Sequence, residues 1–198
     1  EDLVFNEGVE GTRKAINFLR SLRDMLAGHS KSAITSTVKW DGAPAVFAGI
    51  DPRDGKFFVA KKGIFNKEPK IYKTKADIDA DLSGELNDKF TIALHEFGKL
   101  GIKKGVYQGD LMFTKADIKT ETIDDVKFYT FQPNTIVYAV PVNSSLGRKI
   151  KAASIGIVWH TTYEGDSFEE IIDDAGHKIT PSPEEILAAH RVRNSIVY

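Results

Sequence analysis

AVFAGIDPRDGKFFVAK, residues 45–61, is the stretch that decides the fold class. Two runs rich in Val, Ile and Phe flank Asp51-Pro52-Arg53-Asp54-Gly55. Proline presets its own φ and glycine accepts positive φ, so that interval is a turn. The pattern predicts an antiparallel hairpin of strands Ala45–Ile50 and Lys56–Lys61. Upstream, Ile34–Lys39 reads as another strand. Before it, Ala15, Ile16, Phe18, Leu19, Leu22, Met25 and Leu26 recur at helical spacing, which predicts an amphipathic helix from about Val9 to Ala27 stopped by Gly28.

Downstream, the polar stretch 66–87 reads as a surface excursion. A helix follows with Phe90, Leu94, Phe97 and Leu100 on one side and Gly98 or Gly101 at its end. Val106–Phe113 and Thr135–Val142 read as buried strands. Asn143, Ser144 and Ser145 offer caps for a helix to about Ala153, which leads into the strand Ile155–Trp159. Beyond Tyr163 the chain reads as acidic and loop-like until Ser182-Pro183-Glu184-Glu185 opens a short helix through His190. Strands paired antiparallel with intervening helices give an α+β class, with largely antiparallel sheets and flanking helices.

Composition narrows the chemistry. The chain has 198 residues, 41% hydrophobic and 28% charged, as globular chains do. With no cysteine, disulfides, thiolate catalysis, Fe–S clusters and Cys-based zinc sites are excluded. His29, His95, His177 and His190 lack metal-ligand spacing, and no Walker-type glycine loop is present. No apolar run approaches the roughly 20 residues that span a bilayer. No signal-peptide pattern opens the chain, so the expectation is a cytoplasmic protein without membrane partners.

Thr37-Val38-Lys39-Trp40-Asp41-Gly42-Ala43-Pro44-Ala45 carries the strongest chemical signal, a Lys-x-Asp-Gly just after an apolar strand. Alone the pattern is cheap. Its companions are Lys61-Lys62-Gly63 at the hairpin's end, Gln108-Gly109-Asp110-Leu111 within a strand, and Gly156-Ile157-Val158-Trp159-His160-Thr161. A carboxylate placed in an apolar strand, as Asp110 is, requires partners.

This ordered set resembles the covalent nucleotidyltransferase superfamily of ATP-dependent DNA ligases, RNA ligases and mRNA capping enzymes. The wording is most similar to a divergent, phage-associated group of small ligase-like proteins, and the likeness spans about residues 34–163. It implies a single ligase-type nucleotidyltransferase (adenylation) domain over residues 1–198. The expectation is that residues 164–198 form a C-terminal extension of that domain, with no appended oligonucleotide-binding barrel apparent among the residues after Tyr163. It further implies that Lys39 attacks the α-phosphate of ATP, that the AMP passes to a 5′-phosphate, and that a 3′-hydroxyl then displaces it.

Carried over residue by residue, the resemblance makes Lys39, Asp41 and Asp110 catalytic. Val38, Trp40, Gly42, Lys61, Lys62, Gly109, Tyr138 and His160 become nucleotide-binding. Tyr138 and Phe131 both remain candidates for the aromatic that stacks on adenine. Asp110 is the candidate ligand of Mg²⁺ or Mn²⁺, and Arg148, Lys149 and Lys151 are candidate phosphate-binding groups. The family's Glu-Gly-hydrophobic-Val motif meets Ile155-Gly156-Ile157-Val158 here, without its carboxylate. The implied partners are DNA or RNA ends, the implied state is a monomer, and a phage protein would work in the host cytoplasm. A capping-type guanylyltransferase and an inactive nucleotide- or nucleic-acid-binding module are the competing readings.

A lysine suits this role only in a special environment. At a pKa near 10.4, only about four in ten thousand lysines are neutral at pH 7, so burial or nearby cations must activate a nucleophile. The formal charge of −1 conceals an asymmetry: basic residues outnumber acidic ones between Thr37 and Lys75, and the reverse holds from Glu164 to Glu185. The sequence therefore suggests a phosphate-binding face in the basic segment.

Overall fold

A computed structural model describes residues 2–28, 40–173 and 195–197. The chain divides into two compact units, residues 1–39 and 40–198. The first holds α1 (Asp2–Leu26), broken at Gly8, whose φ of 55° and ψ of −129° are not helical. The helix thus resumes where the apolar period begins, and Gly28, at φ 72°, ends it as expected. The expected strand Ile34–Lys39 and the helix from Ser182 to His190 lie outside the described residues.

In the second unit, β1 (Ala45–Ile50) and β2 (Phe57–Ala60) form the predicted antiparallel hairpin, with Phe47 opposite Ala60 and Ile50 opposite Phe57. The Asp51 amide donates to the Lys56 carbonyl, and Gly55 takes φ 70°. Among the described residues the main sheet runs β2-β1-β3-β7-β8. Here β3 is Val106–Thr114, antiparallel to β1, and β7 is Ile155–Tyr163, antiparallel to β3. The edge strand β8 (Ser195–Val197) is parallel to β7. A separate sheet consists of β4 (Lys119–Ile123), β5 (Val126–Phe131) and β6 (Tyr138–Pro141), in that order.

The fold is thus α+β, with antiparallel pairing throughout except at β8, and helices flank the main sheet. On one face α2 (Lys75–Asp81) and α3 (Gly84–Phe97) cover Val46, Ala48, Val59, Leu111, Ile155, Ile157 and Trp159. The opposite face carries two smaller clusters. Phe47, Phe58, Val106 and Tyr163 meet Phe168 and Ile171 of α5 (Phe168–Asp173), while Met112 and Phe113 meet Phe131 and Ile150 of α4 (Ser145–Ala152).

Three local expectations change. The excursion at 66–87 contains α2, opened by a capping box in which Thr74 accepts from the Asp77 amide. The strand expected over Thr135–Val142 is only β6, in the small sheet, with its residues alternately exposed and half-buried. The stretch after Tyr163 is not all loop, since α5 forms there.

Candidate functional site

The Trp40-Asp41-Gly42 turn enters β1 through Ala43 and Pro44 and lies against β3. The Ala43 amide donates to the Leu111 carbonyl, and the Leu111 amide donates to that of Pro44, each at 3.0 Å. Gly42 permits this approach. A Cβ there would stand 2.7 Å from the Leu111 carbonyl oxygen and 2.8 Å from Asp110 Cβ, closer than packing allows.

Asp110 lies opposite Ala45 on one side and Val158 on the other. Alternation along β3 sends Leu111 into the core under α2 and α3, so Gln108 and Asp110 face the other way. They form a polar band between that face's two apolar clusters. His160 completes it through an irregularity in pairing. Gln108 pairs with Thr161 and Gly109 with Trp159, leaving His160 as the extra residue of a bulge. Its Nε2 is 3.5 Å from Asp110 Oδ1, and its Nδ1 is 2.7 Å from Thr161 Oγ1. Neither partner is sealed off, with side-chain exposures of 22% for Asp110 and 37% for His160. Beside them the Tyr163 hydroxyl donates to Gln108 Oε1.

The small sheet supplies the other wall. The Tyr138 hydroxyl accepts from the Asp41 amide at 2.9 Å and reaches the Asp41 carbonyl oxygen at 3.3 Å. Asn134 Nδ2 and Thr135 Oγ1 donate to Asp41 Oδ2, at 3.1 and 3.4 Å. Trp40 rests on the Tyr138 ring with centroids 5.3 Å apart, and Phe131 stacks on that ring at 5.5 Å. Phe131 is buried and Tyr138 is packed between two aromatics, so both candidate base-stacking rings are committed to packing.

Trp40, Asp41, Gly42, Gly109, Asp110, Tyr138 and His160 thus lie together. Lys39 and Val38 lie outside the described residues. Lys61 is not with them: it pairs with Asp81 of α2 at 3.3 Å, on the face that α2 and α3 cover. Lys62 is exposed at the start of a 3₁₀ turn over Lys62–Phe65. Arg148, Lys149 and Lys151 are exposed on α4, and Arg148 donates to the Asn143 carbonyl. Ile155, where the resembled motif has a carboxylate, is fully buried in the core beneath α2 and α3.

The basic segment is largely neutralised. Asp81 accepts from the Tyr72 hydroxyl at 2.6 Å and from Lys70 at 3.0 Å in addition to Lys61. Those hydrogen bonds, that of Tyr72 foremost, hold its carboxyl well below the usual carboxylate range. Lys73 binds Asp51 and Asp54, and Lys75 binds Asp79. Asp51 is fully buried. Burial works to raise its pKa, but hydrogen bonds from Arg53 and Lys73 outweigh it, leaving that carboxyl also far below the ordinary value.

Among the described residues no group of three or more acidic or histidine side chains gathers to hold a metal. Asp110 offers one partly exposed carboxylate beside the polar band. The residues that sequence reading missed are Asn134, Thr135, Lys70 and Asp81, while Gln108 was quoted only as part of the Asp110 motif. Only the turn-forming Pro133-Asn134 pair marked any of these positions.

No curated protein and no solved structure matches the chain. Residues 1–197 match the model described as "Family of unknown function (DUF6267)". Matched over nearly its whole length, the chain belongs to the DUF6267 family.

Proposed function

We propose that this chain is a covalent lysine nucleotidyltransferase, an ATP-dependent ligase of DNA or RNA ends. One observation carries the reading: Asp41-Gly42, Asp110 and His160, from three separate motifs, lie together beside one partly exposed face of the main sheet. In this reading Lys39, next in sequence to Trp40, forms a P–N bond to the α-phosphorus of ATP, and the bond to pyrophosphate breaks. The AMP then moves to a 5′-phosphate, and a 3′-hydroxyl releases it as the strand is sealed. Bound Mg²⁺ or Mn²⁺ would neutralise phosphate charge, with Asp110 as its ligand. Asp41 and His160 orient groups around the phosphates.

The buried Ile155 favours a second reading, a nucleotide-binding module without catalysis, because the resembled carboxylate is replaced by core packing. Incubation with α-labelled ATP and Mg²⁺ or Mn²⁺ separates the two. The ligase reading expects a covalent adduct that survives denaturation and alkali, is released by hot acid as a P–N bond is, and is abolished by Lys39→Ala. Binding without any adduct supports the module, labelling by GTP alone indicates capping chemistry, and an unchanged adduct in Lys39→Ala removes Lys39 as nucleophile.

A further inference from the structure

We infer that the connection from Asn134 to Tyr138 is a clasp that fixes the Trp40-Asp41-Gly42 turn, with Asn134 and Tyr138 as positioning residues. Its consequence for catalysis rests on the ligase reading, whereas its mechanical part does not. The turn is held from two sides. Gly42, Ala43 and Pro44 are pinned to β3 by the paired amides of Ala43 and Leu111. Among the described residues, Asp41 takes its hydrogen bonds from groups more than ninety residues later.

The Tyr138 hydroxyl serves both backbone polar groups of Asp41, accepting from the amide and reaching the carbonyl. One side chain thereby satisfies the two groups that would otherwise be free to turn the peptide. Asn134 and Thr135 then fix the carboxylate through Oδ2 alone. Phe131 and Trp40 keep the phenol ring from swinging away, and Phe131 belongs to the cluster that anchors the small sheet on Met112 and Phe113. The small sheet thus acts as the support that orders the turn before any ligand arrives, which is how positioning lowers a barrier.

Tyr138→Phe tests this cleanly, because it keeps the ring and removes only the hydroxyl. The chain has two tryptophans, so a Trp159→Phe background leaves Trp40 as the sole reporter. Tyr138→Phe and Asn134→Ala should each red-shift Trp40 emission and raise its acrylamide quenching constant about twofold, as loss of a hydrogen bond frees the turn. Thr135→Ser, which keeps the hydroxyl, should leave both unchanged. If the Trp159→Phe background does not fold, amide exchange at Asp41 in the otherwise native chain serves instead and should accelerate about tenfold in Tyr138→Phe. Unaltered Trp40 quenching and Asp41 exchange in both variants would overturn the clasp. Adduct formation with labelled ATP should slow about tenfold in Tyr138→Phe at unchanged KM. A raised KM at unchanged rate would make Tyr138 a direct ligand contact and overturn its positioning role. Should the native chain form no adduct, the ligase reading fails while the Trp40 and Asp41 measurements still judge the clasp.

Discussion

Two regions that look equally promising in sequence are built in opposite ways. Around Trp40-Asp41-Gly42, polar groups distant in the chain converge: Asn134, Thr135 and Tyr138 on Asp41, and Asp110 and His160 alongside. Around residues 61–75, charges that are dense in sequence are paired off by nearby acids, with Asp81 holding Lys61 and Lys70, and Asp51 and Asp54 sharing Lys73. The first region gathers sparse residues into a candidate site. The second spends its lysines on structure. A run of basic residues therefore describes a phosphate-binding surface only after its local counter-ions are counted.

The sharpest way to break the first region is Gly42→Ala. The added Cβ meets the Leu111 carbonyl, Asp110 Cβ and Met112 Sδ, all at 2.9 Å or less, and two of these groups are not flexible ends. Overpacking of this kind costs about 2–3 kcal/mol. Urea unfolding should show that loss, and adduct formation should fall below detection even where the variant is mostly folded.

An intermediate effect is expected from the second region's buried carboxylate. Because the native pKa of Asp51 is depressed below its unfolded value near 3.9, its stabilisation is complete above that value. It fades as pH falls toward the native pKa. Denaturant midpoints measured from pH 6 down to pH 2 should therefore drop, and Asp51→Asn should flatten part of that drop. At neutral pH the variant should lose about 1–2 kcal/mol, since Arg53 and Lys73 remain partly solvated and are not stranded.

The same contrast explains what was legible in advance. The β1–β2 hairpin was readable because Asp51-Pro52-Arg53-Asp54-Gly55 is strong local turn chemistry, and α4 because Ser144 caps it. The β4–β5 hairpin was not, because its turn is Asp124-Asp125, both at positive φ, where Asn-Gly would have announced it. Asp110 could be singled out as a lone carboxylate in an apolar strand. Its pairing with His160 depends on a bulge that no local pattern encodes. The clasp was invisible for a similar reason: Asn134 looks like an ordinary turn residue and Thr135 like the start of a strand until tertiary structure brings them to Asp41. Lys61 shows the reverse case, because the aspartate that pairs with it lies twenty residues on, in a helix that the polar composition of 66–87 obscured.

Asp81→Asn gives the smallest effect on stability and the finest test of the contrast. Its side chain is 29% exposed and its lysine partners are well solvated, so losing the charge should cost less than about 1 kcal/mol. The change in surface chemistry should be larger. Lys61 and Lys70 would lose their shared counter-ion and join exposed Lys62, so the region would become the open basic face that its sequence suggests. Binding of a short single-stranded oligonucleotide, titrated over a range of salt, should tighten in Asp81→Asn and gain about one unit of slope against log salt. Unchanged affinity and slope would mean that counter-ion pairing is not what silences these lysines. The contrast between the two regions would then lie in where their side chains point rather than in what neutralises them.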